Sequence, residues 1–390
     1  MLGYLTLRGV GWLSNQTLQF VVPIMIYQMT GSLTWSGVAL FVEWTPRLVA
    51  LPLAGYLADR FEARRIHVLS DVMRTVAGVG VVAAMLCAPG SAGVALVGLA
   101  LVAGAGFELT FVAGEKAGLS LVPAKEMPRL QTTLSAIEQS CLLMAPVLGG
   151  GLLLLGPATT VSVLSVLFGA SLLLARVMKP VPVTSAEPPP VMAGVRQVIA
   201  NTLLRDIVAI TMVINLMLAL LLATAPAVVR HHYGVDEGRL ALVYTGAALV
   251  ALLVLSLLTR FIRRFGLLIT GAASALIQCL AFLAIGPSSE FVTFVAIVMV
   301  FMAGDAAFSA FIRTVRARAV PAAEFGSTAA AISLLNCASM PLAGGLLAVT
   351  SAFVDPVHLL TIVGGLALPA VVGLLIHLRA ATRTRTEVMA

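Results

Sequence analysis

Gly55-Tyr56-Leu57-Ala58-Asp59-Arg60-Phe61-Glu62-Ala63-Arg64-Arg65 is a short charged turn between two long apolar blocks. The contrast is sharp because the 390-residue chain is 60% hydrophobic and only 11% charged, with a mean hydropathy of +1.05. A soluble globular chain is nearer half apolar and a quarter charged. Working outward from this turn, apolar blocks near twenty residues recur on both sides. Each can cross a hydrocarbon core of roughly 30 Å as a helix. Lipid leaves no water to satisfy backbone polar groups, so such blocks must be helical. A barrel would need alternating segments of ~10 residues, and these are absent.

Gly, Pro and charge divide the chain into twelve expected spans, near 5–29, 35–57, 67–88, 93–114, 130–155, 157–178, 203–228, 238–260, 265–286, 290–312, 326–350 and 354–378. Residues 179–200, the one Pro-rich and polar stretch, read as a cytoplasmic linker. The expected domains are a bundle over 1–178, that linker, a second bundle over 201–378 and a cytoplasmic tail over 379–390. The first block follows Met1 directly, without the basic region and cleavage site of a signal peptide.

The basic residues fix an orientation. With the amino terminus inside, the cytosolic loops hold Arg60, Arg64, Arg65, Lys116, Lys125, Arg129, Arg176, Lys179, Arg196 and Arg205. They also hold Arg260, Arg263, Arg264, Arg313, Arg316, Arg318, Arg379, Arg383 and Arg385, nineteen of the 24 Lys and Arg in all. The opposite loops carry only Arg230 and Arg239. This asymmetry is the positive-inside pattern for an even number of helices with both termini cytoplasmic. It also accounts for the net charge of +7 as topogenic and argues against a nucleic-acid partner.

The halves echo each other. Val122-Pro123-Ala124-Lys125-Glu126 corresponds to Val320-Pro321-Ala322-Ala323-Glu324, an offset of 198. Pro146-Val147-Leu148-Gly149-Gly150 corresponds to Pro341-Leu342-Ala343-Gly344-Gly345, an offset of 195. Two matches in order, at nearly one offset, imply a duplication of six spans. Parallel repeats of this kind are expected to place a substrate site between the halves near the bilayer midplane.

The opening turn, with Gly55, Asp59, Arg60, Arg64 and Arg65, resembles the loop signature of the major facilitator superfamily, at the loop where that family carries it. The resemblance implies an all-α membrane protein of 12 transmembrane helices in two pseudo-symmetric six-helix bundles. It also implies that Asp59 and the arginines latch the halves on the cytosolic side while Gly55 permits close helix contact; the alternative is a purely topogenic role. Met29-Thr30-Gly31-Ser32, Trp44-Thr45-Pro46-Arg47 and Ser70-Asp71-Val72-Met73-Arg74 are most similar to the branch of enterobactin-type siderophore exporters and macrolide efflux proteins. Asp71 and Arg74 are expected to scaffold the latch. Ala145-Pro146-Val147-Leu148-Gly149-Gly150 resembles the antiporter motif of the fifth span, with Ala for its first Gly and its upstream half unmatched, so export is favoured. A simple packing bend explains the same residues, because small residues let membrane helices approach closely.

Ionisable residues inside spans are costly, roughly 3 kcal/mol each on insertion scales, and mark pathways or buried pairs. Glu43 and Arg47 are four apart on one helical face, acid before base, as a structural pair or a coupling site. Glu108 in span four and Asp305 in span ten lie at similar depths. The resemblance puts spans one, four, seven and ten on the central cavity, and there either acid could exchange a proton for a cationic or polar solute. A helix-bonded carboxyl is the plain alternative. Glu138 is a weaker candidate of the same kind. Asn15, Gln16 and Gln19, with Asn215 and Asn336, could bind a hydroxylated solute or simply bond between helices.

Other chemistries lack residues. His231-His232 with Asp236 and Glu237 offers no third metal ligand, so no metal is expected and a solvated loop is the simpler reading. Cys87, Cys141, Cys279 and Cys337 lie in apolar blocks without CxxC spacing, as buried small hydrophobes. No Walker motif or nucleophile elbow occurs, so neither ATP hydrolysis nor enzymatic turnover is expected, and no cofactor. The expected function is a proton-coupled exporter of a siderophore or drug-like small molecule by alternating access, monomeric, in a bacterial inner membrane. An importer or facilitator of a small polar nutrient or metal complex is the alternative. A sensor or membrane enzyme would need a reactive constellation or an appended domain, for which the 22-residue linker leaves no room.

Overall fold

In the computed structural model, the residues described are 2–119, 127–176, 191–236, 239–319 and 325–383. Side chains are not described at 51–56 and 58–60 or at scattered positions in other helices. The chain divides into two compact units, Met1–Pro188 and Pro189–Ala390. The first contains α1 (Leu2–Thr30), α2 (Leu33–Arg60), α3 (Ala63–Cys87), α4 (Ala92–Leu119), α5 (Met127–Leu153) and α6 (Pro157–Ala175). The second contains a short α7 (Val191–Ala200), then α8 (Thr202–Ala227), α9 (Leu240–Phe265), α10 (Leu267–Ala284), α11 (Phe291–Ala319), α12 (Phe325–Thr350) and α13 (Pro356–Arg383). No strand occurs among the described residues.

Each unit packs by the same scheme. In the first, α4 lies against α2 and α3, α1 against α5 and α6, and α3 against α6. In the second, α11 lies against α9 and α10, α8 against α12 and α13, and α10 against α13. Mapping α1–α6 onto α8–α13 in order converts one set of neighbours into the other. One duplicated pair therefore occupies equivalent helices, Pro146 inside α5 and Pro341 inside α12, whereas the pair at 122–126 and 320–324 lies outside the described residues.

Nine described stretches are long and apolar enough to cross a membrane by composition alone. The amides Asn15, Gln16 and Gln19 dilute α1, whereas Pro356–Ala380 reaches a hydropathy of 2.5. Large aliphatic side chains are turned outward on many helices, including Val76, Val166, Ile269 and Leu366. In water such a surface would be unstable; in a bilayer it is the lipid-facing coat. Local sequence sets the corners. Gly156, at a φ of +96°, reverses the chain just before Pro157 opens α6. Pro226 lacks the N–H that would continue α8, and a π-helical turn over Val228–His232 follows.

The linker expected over 179–200 is helical at its end. In α7, Val195 and Val198 share a face that packs with Val208, Ala331 and Ile332, while the Thr328 hydroxyl on α12 donates to the side-chain amide oxygen of Gln197. The Pro-rich run just upstream hides this three-residue spacing. Asn201 then caps α8, its side-chain oxygen accepting from the N–H groups of Leu203 and Leu204. Asn201→Ala should cost about 1 kcal/mol of stability, read by thermal unfolding in detergent. The burial expectation for the cysteines holds in part: Cys141 and Cys279 are buried and Cys337 is half-buried, but Cys87 is exposed because α3 ends there.

Candidate functional site

Charged and polar side chains that the sequence spreads over α1, α2, α3 and α4 converge inside the first unit. On α2, Arg47 Nη2 lies 3.4 Å from Glu43 Oε1, both residues nearly inaccessible at 3% and 1% exposure. The guanidinium stacks over Trp44 at 4.1 Å and over Phe107 of α4 at 4.8 Å. Aromatic faces stabilise a cation that water cannot reach.

On α3, Arg74 Nη2 lies 2.9 Å from Asp71 Oδ1, with both side chains about 1% exposed. The alignment is poor for a hydrogen bond to that carboxylate, so charge holds the pair. The same guanidinium donates to the Gly106 carbonyl at 3.3 Å and to Thr110 Oγ1 at 3.1 Å. Phe168 of α6 covers it at 4.9 Å. These two residues, expected to scaffold a cytosolic latch, are thus interior members of the network that join α3 to α4 and α6.

From α1, Arg8 donates to the carbonyls of Thr110 and Phe111 and packs over Trp12 at 4.3 Å. His67 is buried within electrostatic reach of Arg8 and Arg74. Glu108 projects from α4 and is 6% exposed. It makes no hydrogen bond or ion pair among the described residues, and the charge acting on it is that of Arg47. Glu43, by contrast, has Arg47 within direct contact.

Glycines of α4 make this convergence possible. A methyl group at Gly104 would lie 2.0 Å from the Glu43 carbonyl oxygen, at Gly106 3.0 Å from Arg74 Nε, and at Gly114 2.2 Å from Arg8 Nη1. At Gly118 it would lie 2.8 Å from the Tyr4 hydroxyl, which donates to the Gly114 carbonyl. A side chain at Gly104 would push against the α2 backbone, at Gly106 or Gly114 against an arginine, and at Gly118 against Tyr4. Sequence reasoning missed Arg8, His67 and Thr110 as members of the site. The available signal was the series Gly104, Gly106, Gly114 and Gly118 on a helix that also carries Glu108.

Other expected positions fall elsewhere. Asp305 is half-buried on α11, the equivalent of α4 in the second unit, and Asn215 and Asn336 are half-buried on α8 and α12. Asn15 is fully buried on α1, while Gln16, Gln19 and Glu138 are partly exposed. Gly149 presses against Phe20 and Val21 of α1, each 2.8 Å from where its Cβ would stand, so the Pro146–Gly150 segment is the α5–α1 crossing. Pro341 and Gly344 are buried on α12 and Gly345 is half-buried. The backbone of Gly55, Asp59 and Arg60 closes α2, but their side chains lie outside the described set, whereas Arg64 and Arg65 open α3. His232 Nε2 stands 3.1 Å from the Ser288 carbonyl, tying the turn after α8 to the residues beyond α10. In the second unit Asp206, 2% exposed, pairs with His377 at 2.5 Å and Arg205 at 3.3 Å, a cluster the sequence did not suggest.

Two six-helix repeats with apolar outward faces and a buried ionic network define a polytopic membrane protein. The chain belongs to the Major Facilitator Superfamily, whose model matches residues 5–344. Among solved structures it is similar to a D-xylose–proton symporter at 15% identity, with a TM-score of 0.73 and 95% of each chain covered. It is also similar to a bacterial homologue of the iron transporter ferroportin in its inward-facing state, at 16% identity, TM-score 0.73, and 96% and 97% coverage. A nucleoside transporter matches at 12% identity, TM-score 0.70, and 97% and 99% coverage. No curated protein sequence matches the chain. Likenesses at these identities carry the fold alone.

Proposed function

We propose that this chain is a proton-coupled exporter of a siderophore or drug-like small molecule, working by alternating access as a monomer in a bacterial inner membrane, with both termini cytoplasmic. The observation that carries the coupling half of this reading is Glu108: a buried carboxylate without an ion pair among the described residues, beside the Glu43–Arg47 pair. A carboxylate at depth is costly when charged and unpaired. Proton uptake neutralises it, and the arrival of a cationic or polar solute restores a reason to ionise. Arg47, shared electrostatically by Glu43 and Glu108, supplies a counter-charge whose allegiance can change between the two acids. Asp305 on the equivalent helix is the second candidate, and Glu138 the third. The antiporter-like Pro146–Gly150 segment and the matched branch motifs support export over import.

Cells carrying the chain should extrude ethidium or a catecholate siderophore faster than cells carrying an empty vector. A protonophore should cancel that difference, and Glu108→Gln should lower the rate by at least about tenfold, the scale of lost coupling chemistry. Extrusion indifferent to the protonophore would overturn antiport. Intracellular accumulation of the solute would replace export with uptake.

A further inference from the structure

We propose that the arginine-rich end of the α3–α6 pair is a binding site for one anionic phospholipid. This rests on the membrane-embedded placement of α3 and α6 and not on the direction or coupling of transport. A cavity of about 520 Å³ opens there between the two helices. Arg64, Arg65 and Arg176 line one part of it, and Leu69, Val72 and Leu172 line the rest. Glu62 is the acid present, 3.6 Å from Arg65, whose side chain is 78% exposed. Three cations against one carboxylate leave the mouth net positive. Arg64 and Arg176 have no acidic partner among the described residues.

The aliphatic wall distinguishes a lipid from a soluble anion. Leu69, Met73 and Val76 form an outward stripe on α3 at spacings of four and three. Val166 and Leu173 are exposed on α6, which packs against α3. Seven residues of helix reach roughly 10 Å, enough to hold the first segment of an acyl chain. The stripe therefore runs from the arginines into the hydrocarbon region, as a headgroup with its chains requires. The cavity also adjoins the start of α3, where first-turn N–H groups and the positive helix end favour a phosphate. A free phosphate would use the charges and leave the aliphatic wall unused.

Native mass spectrometry of the full chain in detergent tests this with phosphatidylglycerol and phosphatidylcholine as probes. The expected result is one retained phosphatidylglycerol and no comparable phosphatidylcholine adduct. Attraction near a membrane surface is worth about fivefold per basic residue, so the variant R64Q/R65Q/R176Q should weaken retention on the order of a hundredfold. The charge-matched variant R260Q/R263Q/R264Q should leave it unchanged. Equal loss in both variants would reduce the site to general surface charge and overturn the proposal. Displacement of the lipid by millimolar inorganic phosphate would assign the cavity to a soluble anion, and also overturn it. If the triple variant does not fold, Val72→Trp fills the aliphatic wall while leaving every charge. That variant is expected to lose the adduct, and retention by it would contradict the inference. Failure of export leaves these outcomes unaffected.

Discussion

Gly104→Ala is expected to destabilise the first unit by about 3 kcal/mol, at the upper end of what overpacking a filled interior costs. The added methyl would stand 2.0 Å from the Glu43 carbonyl oxygen and 3.0 Å from its carbonyl carbon. Both obstructing atoms are backbone, so no side-chain rotation relieves the clash. Instead α2 must move as a body, carrying the Glu43–Arg47 pair away from Phe107 and Glu108. Loss of transport should therefore accompany loss of stability. Gly98→Ala on the same helix is the matched comparison, since nothing lies within 4 Å of its Cβ position. That change should be neutral or slightly stabilising, because alanine is the better helix former. Thermal unfolding of the two purified variants in detergent checks the pair. Equal melting temperatures would mean that α2 and α4 are not in the contact described.

Arg74→Met should cost about 3–5 kcal/mol, the penalty for stranding a buried charge. Asp71 would remain about 1% exposed with its counter-ion gone. The reverse change, Asp71→Leu, should be milder. Arg74 would keep the Gly106 carbonyl, Thr110 and the Phe168 ring as partners. The double variant Asp71→Leu/Arg74→Met removes both charges and should be more stable than Arg74→Met alone, although Thr110 loses a partner. A double-mutant cycle on melting temperature measures this coupling. Strict additivity would show that the two side chains do not act as a pair.

Much of the fold was legible because lipid is an unforgiving solvent. A block such as 93–114 has few alternatives to a spanning helix, and the Lys and Arg series set the expected orientation without reference to packing. Helix α7 escaped because its short apolar period follows the Pro-rich run. Within the site, Glu43, Arg47 and Glu108 could be found as rare charges in apolar surroundings. Asp71 and Arg74 were expected only to scaffold the latch; their pairing, buried against α4 and α6, was not read from the sequence. Arg8, 102 residues from Thr110 in the chain, and His377, 171 residues from Asp206, acquire partners only through helix packing. No local pattern encodes such a pairing. The substrate stayed hidden for a related reason, since a sugar–proton symporter, a homologue of an iron transporter and a nucleoside transporter share this architecture.

The most direct measurement follows protons and solute together in liposomes containing the purified chain and an enclosed pH dye. Addition of a transported solute should change the luminal pH with the wild-type protein. With Glu108→Gln that pH change should vanish while solute-for-solute exchange continues, because the site would still bind but could no longer load a proton. An undiminished pH change in Glu108→Gln would contradict the assignment of this carboxylate as the coupling group.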